Sequence, residues 1–226
     1  MKLISFWLSA LTLTTGLTAG PIYNISIDTT ALIGHPAGEF YLAFQLADGS
    51  GAGDANNAAI LTNFNFGGGG APFGLAPILF GGAFGDLSAG VILIDSSFPN
   101  IFAQSFTAGS SVSFTLELTG NPDAGGIPDS FIFSILDRML NPIPTEAGPG
   151  YDVLIQIDLD SITPAVTIFA SDPARSPFAA GGPIDVGSAN VTLIDTPEPG
   201  SLMLSAIALI LMWRARGAAS WREIGK

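Results

Sequence analysis

Alternation of apolar and polar residues dominates the middle of the chain. It is strongest in three segments, Glu39–Leu46, Ser111–Leu118 and Tyr151–Asp160. Successive side chains of a β-strand point to opposite faces of a sheet, so this period of two predicts half-buried strands. Weaker patterns predict seven more strands, at Ile22–Asp28, Ile60–Phe66, Ala89–Asp95, Ile101–Phe106, Phe131–Leu136, Thr167–Phe169 and Val191–Ile194.

Turns rich in glycine and proline, such as Gly67–Gly70 and Asn141–Gly150, separate these segments. Helical spacing is limited to one short stretch, Ile135–Leu140, which we interpret as a single turn of helix. Nine or ten short strands joined by polar turns predict an all-β fold, an antiparallel β-sandwich that we expect to be jelly-roll-like. Phenylalanine is abundant, with 16 in the chain, and can fill the interior.

The N-terminal end has the pattern of an export signal. Lys2 is followed by the apolar stretch Leu3–Leu13 and then by small and polar residues. A short charged region before an apolar core is typical of a secretory signal peptide. We therefore predict a signal peptide over residues 1–19, cleaved after Ala19, and an extracellular domain over residues 20–196.

The C-terminal end has three parts in a fixed order: Pro197-Glu198-Pro199, the apolar run Leu202–Trp213, and then Arg214 and Arg216. The run spans roughly 18 Å as a helix, which is short for a bilayer core of ~30 Å and typical of a buried helix. However, arginines directly after an aromatic residue are typical of the cytoplasmic end of a membrane span, and they can extend it by snorkelling. We expect a transmembrane helix at about 201–213 and a basic cytoplasmic tail over residues 217–226.

This three-part order resembles the PEP-CTERM sorting signal of Gram-negative bacteria, over residues 197–216. The resemblance implies that Pro197, Glu198, Pro199, Arg214 and Arg216 form a signal that an exosortase-type processing enzyme recognises in the inner membrane. It further implies export, transient anchoring by the C-terminal helix, and release to the cell envelope or the extracellular space. In the family the basic cluster usually ends the chain, whereas ten further residues follow here.

The order of the body strands also resembles that of uncharacterised extracellular domains that precede PEP-CTERM tails. The residues that carry this second resemblance are Tyr23–Asp28, Phe40–Gln45 and Phe131–Asp137. It implies a fold and no activity.

Charge is distributed unevenly along the chain. Between Lys2 and Arg214 there are 18 acidic residues and only two basic ones, Arg138 and Arg175, a net charge of −16. Such a surface repels phosphate backbones, so we expect no nucleic-acid partner. The chain has no cysteine, which excludes disulfides and thiolate metal sites.

Candidate chemistry is sparse. The chain has one histidine, His35, beside Pro36 in a predicted surface turn, and no nucleophile elbow accompanies it. We therefore expect no enzymatic activity and no resident cofactor, with calcium as the one exception to be tested. Calcium prefers six to eight oxygen ligands, and one glycine-rich turn offers five side chains of that kind: Asp48, Ser50, Asp54, Asn56 and Asn57. A solvated turn explains the same composition. Asp123 with Asp129 and Asp158 with Asp160 are weaker candidates.

Two functions remain. The first is a structural or adhesive protein of the cell envelope or extracellular matrix, which the tail, the acidic body and the missing catalytic set favour. The alternative is a carbohydrate-binding module for exopolysaccharide, assisted by calcium. Such modules usually need exposed aromatic platforms, and the domain has no tryptophan and three tyrosines, Tyr23, Tyr41 and Tyr151.

Overall fold

The structure is a computed structural model that describes residues 19–49, 53–121, 127–159, 164–178 and 180–194. These residues form two antiparallel β-sheets, and their only helices are two short 3₁₀ turns, Thr30–Leu32 and Pro173–Arg175. The predicted all-β fold is confirmed.

Sheet A contains six strands in the order β13-β1-β9-β3-β7-β6. Their bounds are β1 Ala19–Asp28, β3 Ala58–Asn65, β6 Gly82–Asp86, β7 Gly90–Ile94, β9 Ser111–Thr119 and β13 Asn190–Ile194. Sheet B has the order β12-β11-β10-β2-β8-β4, with β5 also paired to β8. Its strands are β2 Phe40–Ala47, β4 Ala71–Pro72, β5 Ile78–Phe80, β8 Asn100–Thr107, β10 Ser130–Leu136, β11 Ile155–Asp158 and β12 Ala165–Ile168.

The alternating residues place one face of each sheet in the core. In β2, the side chains of Phe40, Leu42, Phe44 and Leu46 are buried while the intervening ones are half-buried. Phe44 is central, because its ring lies 5.3 Å from that of Phe133 in the same sheet and 5.3 Å from that of Phe114 in sheet A. The two sheets therefore pack face to face around phenylalanine, as in a β-sandwich.

All ten predicted strands overlap observed ones, but the segment Tyr151–Asp160 is a strand only over Ile155–Asp158. Val153, Leu154 and Ile155 are buried in succession, which breaks the alternation. The chain turns just before them, where the backbone N–H of Tyr151 donates to the carbonyl of Gly148 over 3.1 Å. Burial without alternation marks a segment that enters the core before it joins a sheet.

Three short strands, β4, β5 and β6, were not predicted. They lie at sheet edges, and all three side chains of β5 are exposed, so no apolar alternation marks them. The predicted helical turn at Ile135–Leu140 is wrong. Ile135 and Leu136 belong to β10, and the carboxylate of Asp137 closes the turn that follows by accepting from the backbone N–H of Met139 and of Asn141.

Candidate functional site

The predicted sorting signal lies outside the described residues. Pro197, Glu198, Pro199, Arg214 and Arg216 all follow β13, which ends at Ile194, and residues 1–18 of the predicted signal peptide precede β1. Within the described ranges, no helix has the length and apolar character needed to cross a bilayer.

One end of the sandwich gathers polar side chains from five chain segments. Asp48 follows β2, Asn57 precedes β3, Asp95 follows β7, Asn121 follows β9 shortly after its last residue, and Asp129 precedes β10. Because neighbouring antiparallel strands run in opposite directions, the ends of some meet the starts of others at one edge. We call these five residues the acid–amide cluster. It joins the two sheets, since β2 and β10 belong to sheet B and the other three strands to sheet A.

Asn57 is the centre of the acid–amide cluster, and its side chain uses both donors and both acceptor sites. Its amide nitrogen donates to Oδ2 of Asp129 over 2.7 Å and to the carbonyl of Asn121 over 2.8 Å. Its amide oxygen accepts from the hydroxyl of Thr119 over 3.0 Å and from the backbone N–H of Asn121 over 2.9 Å. This side chain, 2% exposed, fixes the start of β10 against the start of β3 and the end of β9.

Asp95 and Asp129 are buried acids that face each other across the sheet interface. Asp129 is 2% exposed, and its Oδ1 accepts from the backbone N–H of Gly49 over 2.8 Å. Asp95 is fully buried, and its Oδ2 accepts from the backbone N–H of Asn57 over 2.9 Å. No described residue donates a hydrogen bond to its Oδ1. Burial, a hydrogen bond to Asp129 and the negative charges of Asp129 and Asp54 raise the pKa of Asp95 to about 7, against the smaller effect of the Asn57 backbone N–H.

The residues predicted to bind calcium differ in burial and in hydrogen-bond partners. Asp48 is buried and accepts from the backbone N–H of Gly53, while Asn57 has the partners given above. Asp54 accepts from the backbone N–H of Asn56 over 3.2 Å and from its side-chain amide over 3.0 Å, and Ser50 lies outside the described residues. In the part of the chain that the structure describes, no group of three or more histidine, cysteine or acidic side chains is arranged to hold a metal ion. Calcium binding by this turn remains a prediction.

Sequence analysis did not connect Asp95 or Asp129 with Asn57. Asp129 was considered only as a weaker calcium ligand together with Asp123. Asp95 was identified only as the last residue of a predicted strand. The sequence did contain a signal for this cluster, namely polar residues directly before or after apolar strands. Such residues lie together at the ends of a sandwich. Their pairing depends on strand order, which the pattern does not contain.

A groove of about 390 Å³ crosses the outer face of sheet B. Cross-strand neighbours Gln156, Ile132, Gln45 and Ile101 form one row over β11, β10, β2 and β8, and all four are half-buried. The row alternates amide and aliphatic side chains. Neighbouring strands are ~4.8 Å apart, so the row extends across roughly 14 Å of sheet.

Tyr151 forms one wall of this groove and is 41% exposed. Its hydroxyl donates to Oε1 of Gln156 over 2.7 Å, and the amide of Gln156 donates to Oδ1 of Asp158 over 2.8 Å. Burial and then the Asp158 charge raise the pKa of Tyr151, so the phenol stays a neutral hydrogen-bond donor at neutral pH. The hydroxyl bond to Gln156 therefore holds the ring in place beside the groove.

An ion pair fixes the backbone next to Tyr151, through the following residue, Asp152. Asp152 pairs with the guanidinium of Arg175 and accepts from the backbone N–H of Thr145 over 2.9 Å. Arg175 also pairs with Asp172 over 3.1 Å. The pair leaves the groove without an uncompensated charge from Asp152, which suits a neutral ligand.

His35 is half-buried, not the surface residue that was predicted. Its Nδ1 accepts from the backbone N–H of Ala37 over 3.1 Å, so its Nε2 is the donor to the carbonyl of Gly182, 3.1 Å away. The ring packs on Phe40 and Phe178 at centroid distances of 6.2 and 5.7 Å. Both ring nitrogens therefore make structural hydrogen bonds.

Comparison with known proteins identifies no relative, since no family model, no curated protein and no solved structure matches this chain.

Proposed function

We propose that this chain is an exported, non-enzymatic protein of a Gram-negative cell envelope or extracellular matrix with a structural or adhesive role. The observation that carries the proposal is the combination of the three-part C-terminal order with an acidic β-sandwich. A jelly-roll-like chain path, the signal peptide, the transmembrane helix and processing by an exosortase-type enzyme are parts of this proposal.

The structure supports the proposal through the phenylalanine core and the hydrogen bonds at one end of the sandwich. The sandwich has fifteen phenylalanines beyond the predicted signal peptide, and hydrogen bonds close one of its ends. These features can stabilise an extracellular domain that has no disulfides. The use of both nitrogens of His35 in structural hydrogen bonds fits a protein without a catalytic base. The high net negative charge favours solubility and mutual repulsion between copies in a matrix.

The export proposal is tested by determining where the protein accumulates and whether its C-terminal tail is removed. Replacing Pro197, Glu198 and Pro199 by alanine leaves the apolar run intact, so the protein inserts but accumulates in the inner membrane. Arg214→Lys with Arg216→Lys keeps both charges and serves as the matched control, whereas alanines at the same positions weaken retention before processing. Fractionation and the intact mass of the released form are the measurements. Unchanged release without the Pro-Glu-Pro triplet, or a mature form that still contains Trp221, would contradict the proposal.

A second candidate function, carbohydrate binding, is favoured by the groove of sheet B. An exposed, fixed tyrosine ring beside a row of amide and aliphatic side chains offers stacking and hydrogen bonds to an extended sugar chain. The ligand expected is a neutral polysaccharide, since an acidic one is repelled by the net charge of the body.

Affinity electrophoresis of the full chain in nonionic detergent, against neutral and acidic polysaccharides, tests this candidate. Tyr151→Ala and Gln45→Ala are expected to abolish retardation by the neutral polymer. Phe84→Ala is the control, because Phe84 is also an exposed aromatic residue, 54% accessible, but lies on β6 in the other sheet. Retardation that is unaffected by both groove variants would dismiss the groove as the sugar site.

A further inference from the structure

The outer face of sheet A carries a groove that neither candidate function uses. It has a volume of about 380 Å³ and crosses β13, β1, β9 and β3. Eight of its ten lining residues are asparagine, serine or threonine, and the other two, Ile25 and Phe114, are buried in the core. The groove of sheet B, by contrast, combines amides with aliphatic side chains and a tyrosine. The two faces of the sandwich therefore offer different chemistry to a ligand.

Strand register arranges polar side chains of this face in two rows, each with one residue from every strand. The first row consists of Thr192, Asn24, Thr115 and Thr62. The second row consists of Asn190, Ser26, Ser113 and Asn65. Neighbouring strands are ~4.8 Å apart and alternate residues of one strand are ~6.7 Å apart, so the two rows cover roughly 14 by 7 Å. We call them the polar rows.

Strand β3 departs from regular geometry where it meets the polar rows. Thr62 and Asn65 are three residues apart, whereas their partners in β9, Thr115 and Ser113, are two residues apart, which is a β-bulge. The bulge contains Asn63, whose φ of 56° lies in the left-handed region that side chains other than glycine adopt at a cost. Its amide nitrogen donates to the hydroxyl of Thr115 over 3.2 Å. Bulges re-aim side chains beside functional sites, and backbone strain is retained where it serves a function.

The hydrogen bonds within the polar rows leave amide donors available. Oδ1 of Asn24 accepts from the hydroxyl of Thr115 over 3.2 Å, and Oδ1 of Asn65 accepts from the backbone N–H of Gly67 over 2.8 Å. The NH₂ groups of both asparagines donate to no other described residue. Each NH₂ has two donors, so a ligand that fits the polar rows must present hydrogen-bond acceptors.

Charge around the polar rows restricts the class of ligand further. Asp28 continues β1 beyond the second row and Glu117 continues β9 beyond the first, and both are exposed. The two arginines that the structure describes, Arg138 and Arg175, lie outside the strands of sheet A. An anionic ligand is therefore repelled, and a cation gains nothing from the amide donors. A neutral ligand rich in hydroxyl groups satisfies both conditions.

We propose that the polar rows bind a neutral polysaccharide by hydrogen bonds, with the extended sugar chain lying across the four strands. The inference is independent of the export proposal, and it concerns the sheet opposite the groove of sheet B. A sugar hydroxyl both donates and accepts, so it can bond the asparagine NH₂ groups and the hydroxyls of Ser26 and Ser113 together. Binding by hydrogen bonds without aromatic stacking distinguishes this site from the groove that contains Tyr151.

The first test removes two hydroxyls from the second row. Neither Ser26 nor Ser113 shares a side-chain hydrogen bond with another described residue, and both are half-buried in the groove. The double variant Ser26→Ala with Ser113→Ala is compared with Ser88→Ala, a change at an exposed serine between β6 and β7. Affinity electrophoresis of the full chain in nonionic detergent uses three neutral polymers, hydroxyethylcellulose, galactomannan and dextran, with acidic alginate as the charged counterpart.

The expected result is that at least one neutral polymer retards the wild type, Ser88→Ala and Tyr151→Ala, and that alginate retards none of them. The double variant binds that polymer roughly tenfold or more weakly, because one hydrogen bond corresponds to about a factor of five in the binding constant. Tyr151→Ala separates the two faces, since it changes only the groove of sheet B.

Asn63→Gly separates binding from folding. Glycine adopts a positive φ without strain, so the variant keeps the bulge and loses only the amide. We expect it to bind the polymer roughly fivefold more weakly, with a stability in urea that is unchanged or higher. Leu140→Gly is the matched control, because Leu140 has a φ of 63° in the turn after β10, away from sheet A, and its binding should equal that of the wild type.

Retardation by none of the neutral polymers, unchanged retardation of the double variant, or a loss of retardation only in Tyr151→Ala would overturn the proposal. Unchanged binding of Asn63→Gly together with a lower stability would also contradict it, because the bulge and its amide would then serve folding alone.

Discussion

Replacement of Asn57 by alanine is the sharpest test of how the sandwich is closed. The substitution removes four side-chain hydrogen bonds of 2.7 to 3.0 Å, to Asp129, Thr119 and both backbone groups of Asn121. A hydrogen bond between neutral groups contributes about 1 kcal/mol, and one to a charged group about 1.5–3 kcal/mol. Since three partners are neutral and one is the Asp129 carboxylate, we expect a loss of roughly 4–6 kcal/mol in the free energy of unfolding.

The loss is a large part of the ~5–15 kcal/mol that stabilises a typical domain. Urea unfolding at fixed pH, followed by far-UV circular dichroism, measures it. Asn24→Ala is the matched control, since Asn24 is exposed and its side chain accepts a 3.2 Å bond from the Thr115 hydroxyl. If Asn57→Ala cost no more than Asn24→Ala, the closure described here would be incorrect.

Three further predictions concern the core, calcium and catalysis. Phe44→Ala should lower the unfolding free energy by about 3–5 kcal/mol, because a fully buried ring is lost, whereas Phe98→Ala, 65% exposed, should change it by less than about 0.5 kcal/mol; urea unfolding compares the two. If the Asp48–Asn57 turn binds calcium, chelator lowers the melting temperature and Asp48→Asn removes that sensitivity; identical melting curves with and without calcium would exclude the site. A broad screen of hydrolase substrates should show no turnover, and activity abolished by His35→Ala would refute the non-enzymatic assignment.

Several parts of the fold could be predicted from the pattern of apolar and polar residues. Period-two alternation depends only on which neighbours are apolar, and it located β2 and β9 to within one residue at each end. It failed where that local signal is absent. The edge strand β5 buries none of its side chains, and three successive residues where the chain enters β11, Val153, Leu154 and Ile155, are all buried.

The acid–amide cluster could be seen only in the tertiary structure. Asn57 and Asp129 are 72 residues apart and meet because β2 and β10 are neighbours in one sheet while β3 faces them in the other. A carboxylate in a polar turn has the same local sequence whether it is solvated or buried. Its protonation state depends on desolvation and on the charges that long-range pairing brings near, and neither is encoded in the spacing of neighbours along the chain.

The groove of sheet B has the same origin. Its row of side chains comes from strands separated along the chain, and register alone aligns Gln156, Ile132, Gln45 and Ile101. The sequence by itself determined the all-β class, the side chains that fill the core, the acidity of the body and the pattern of the two termini, because these are properties of composition and local order. The tertiary structure decided which polar residues meet, which acids are buried and where a ligand-sized surface forms, because these depend on which distant strands become neighbours.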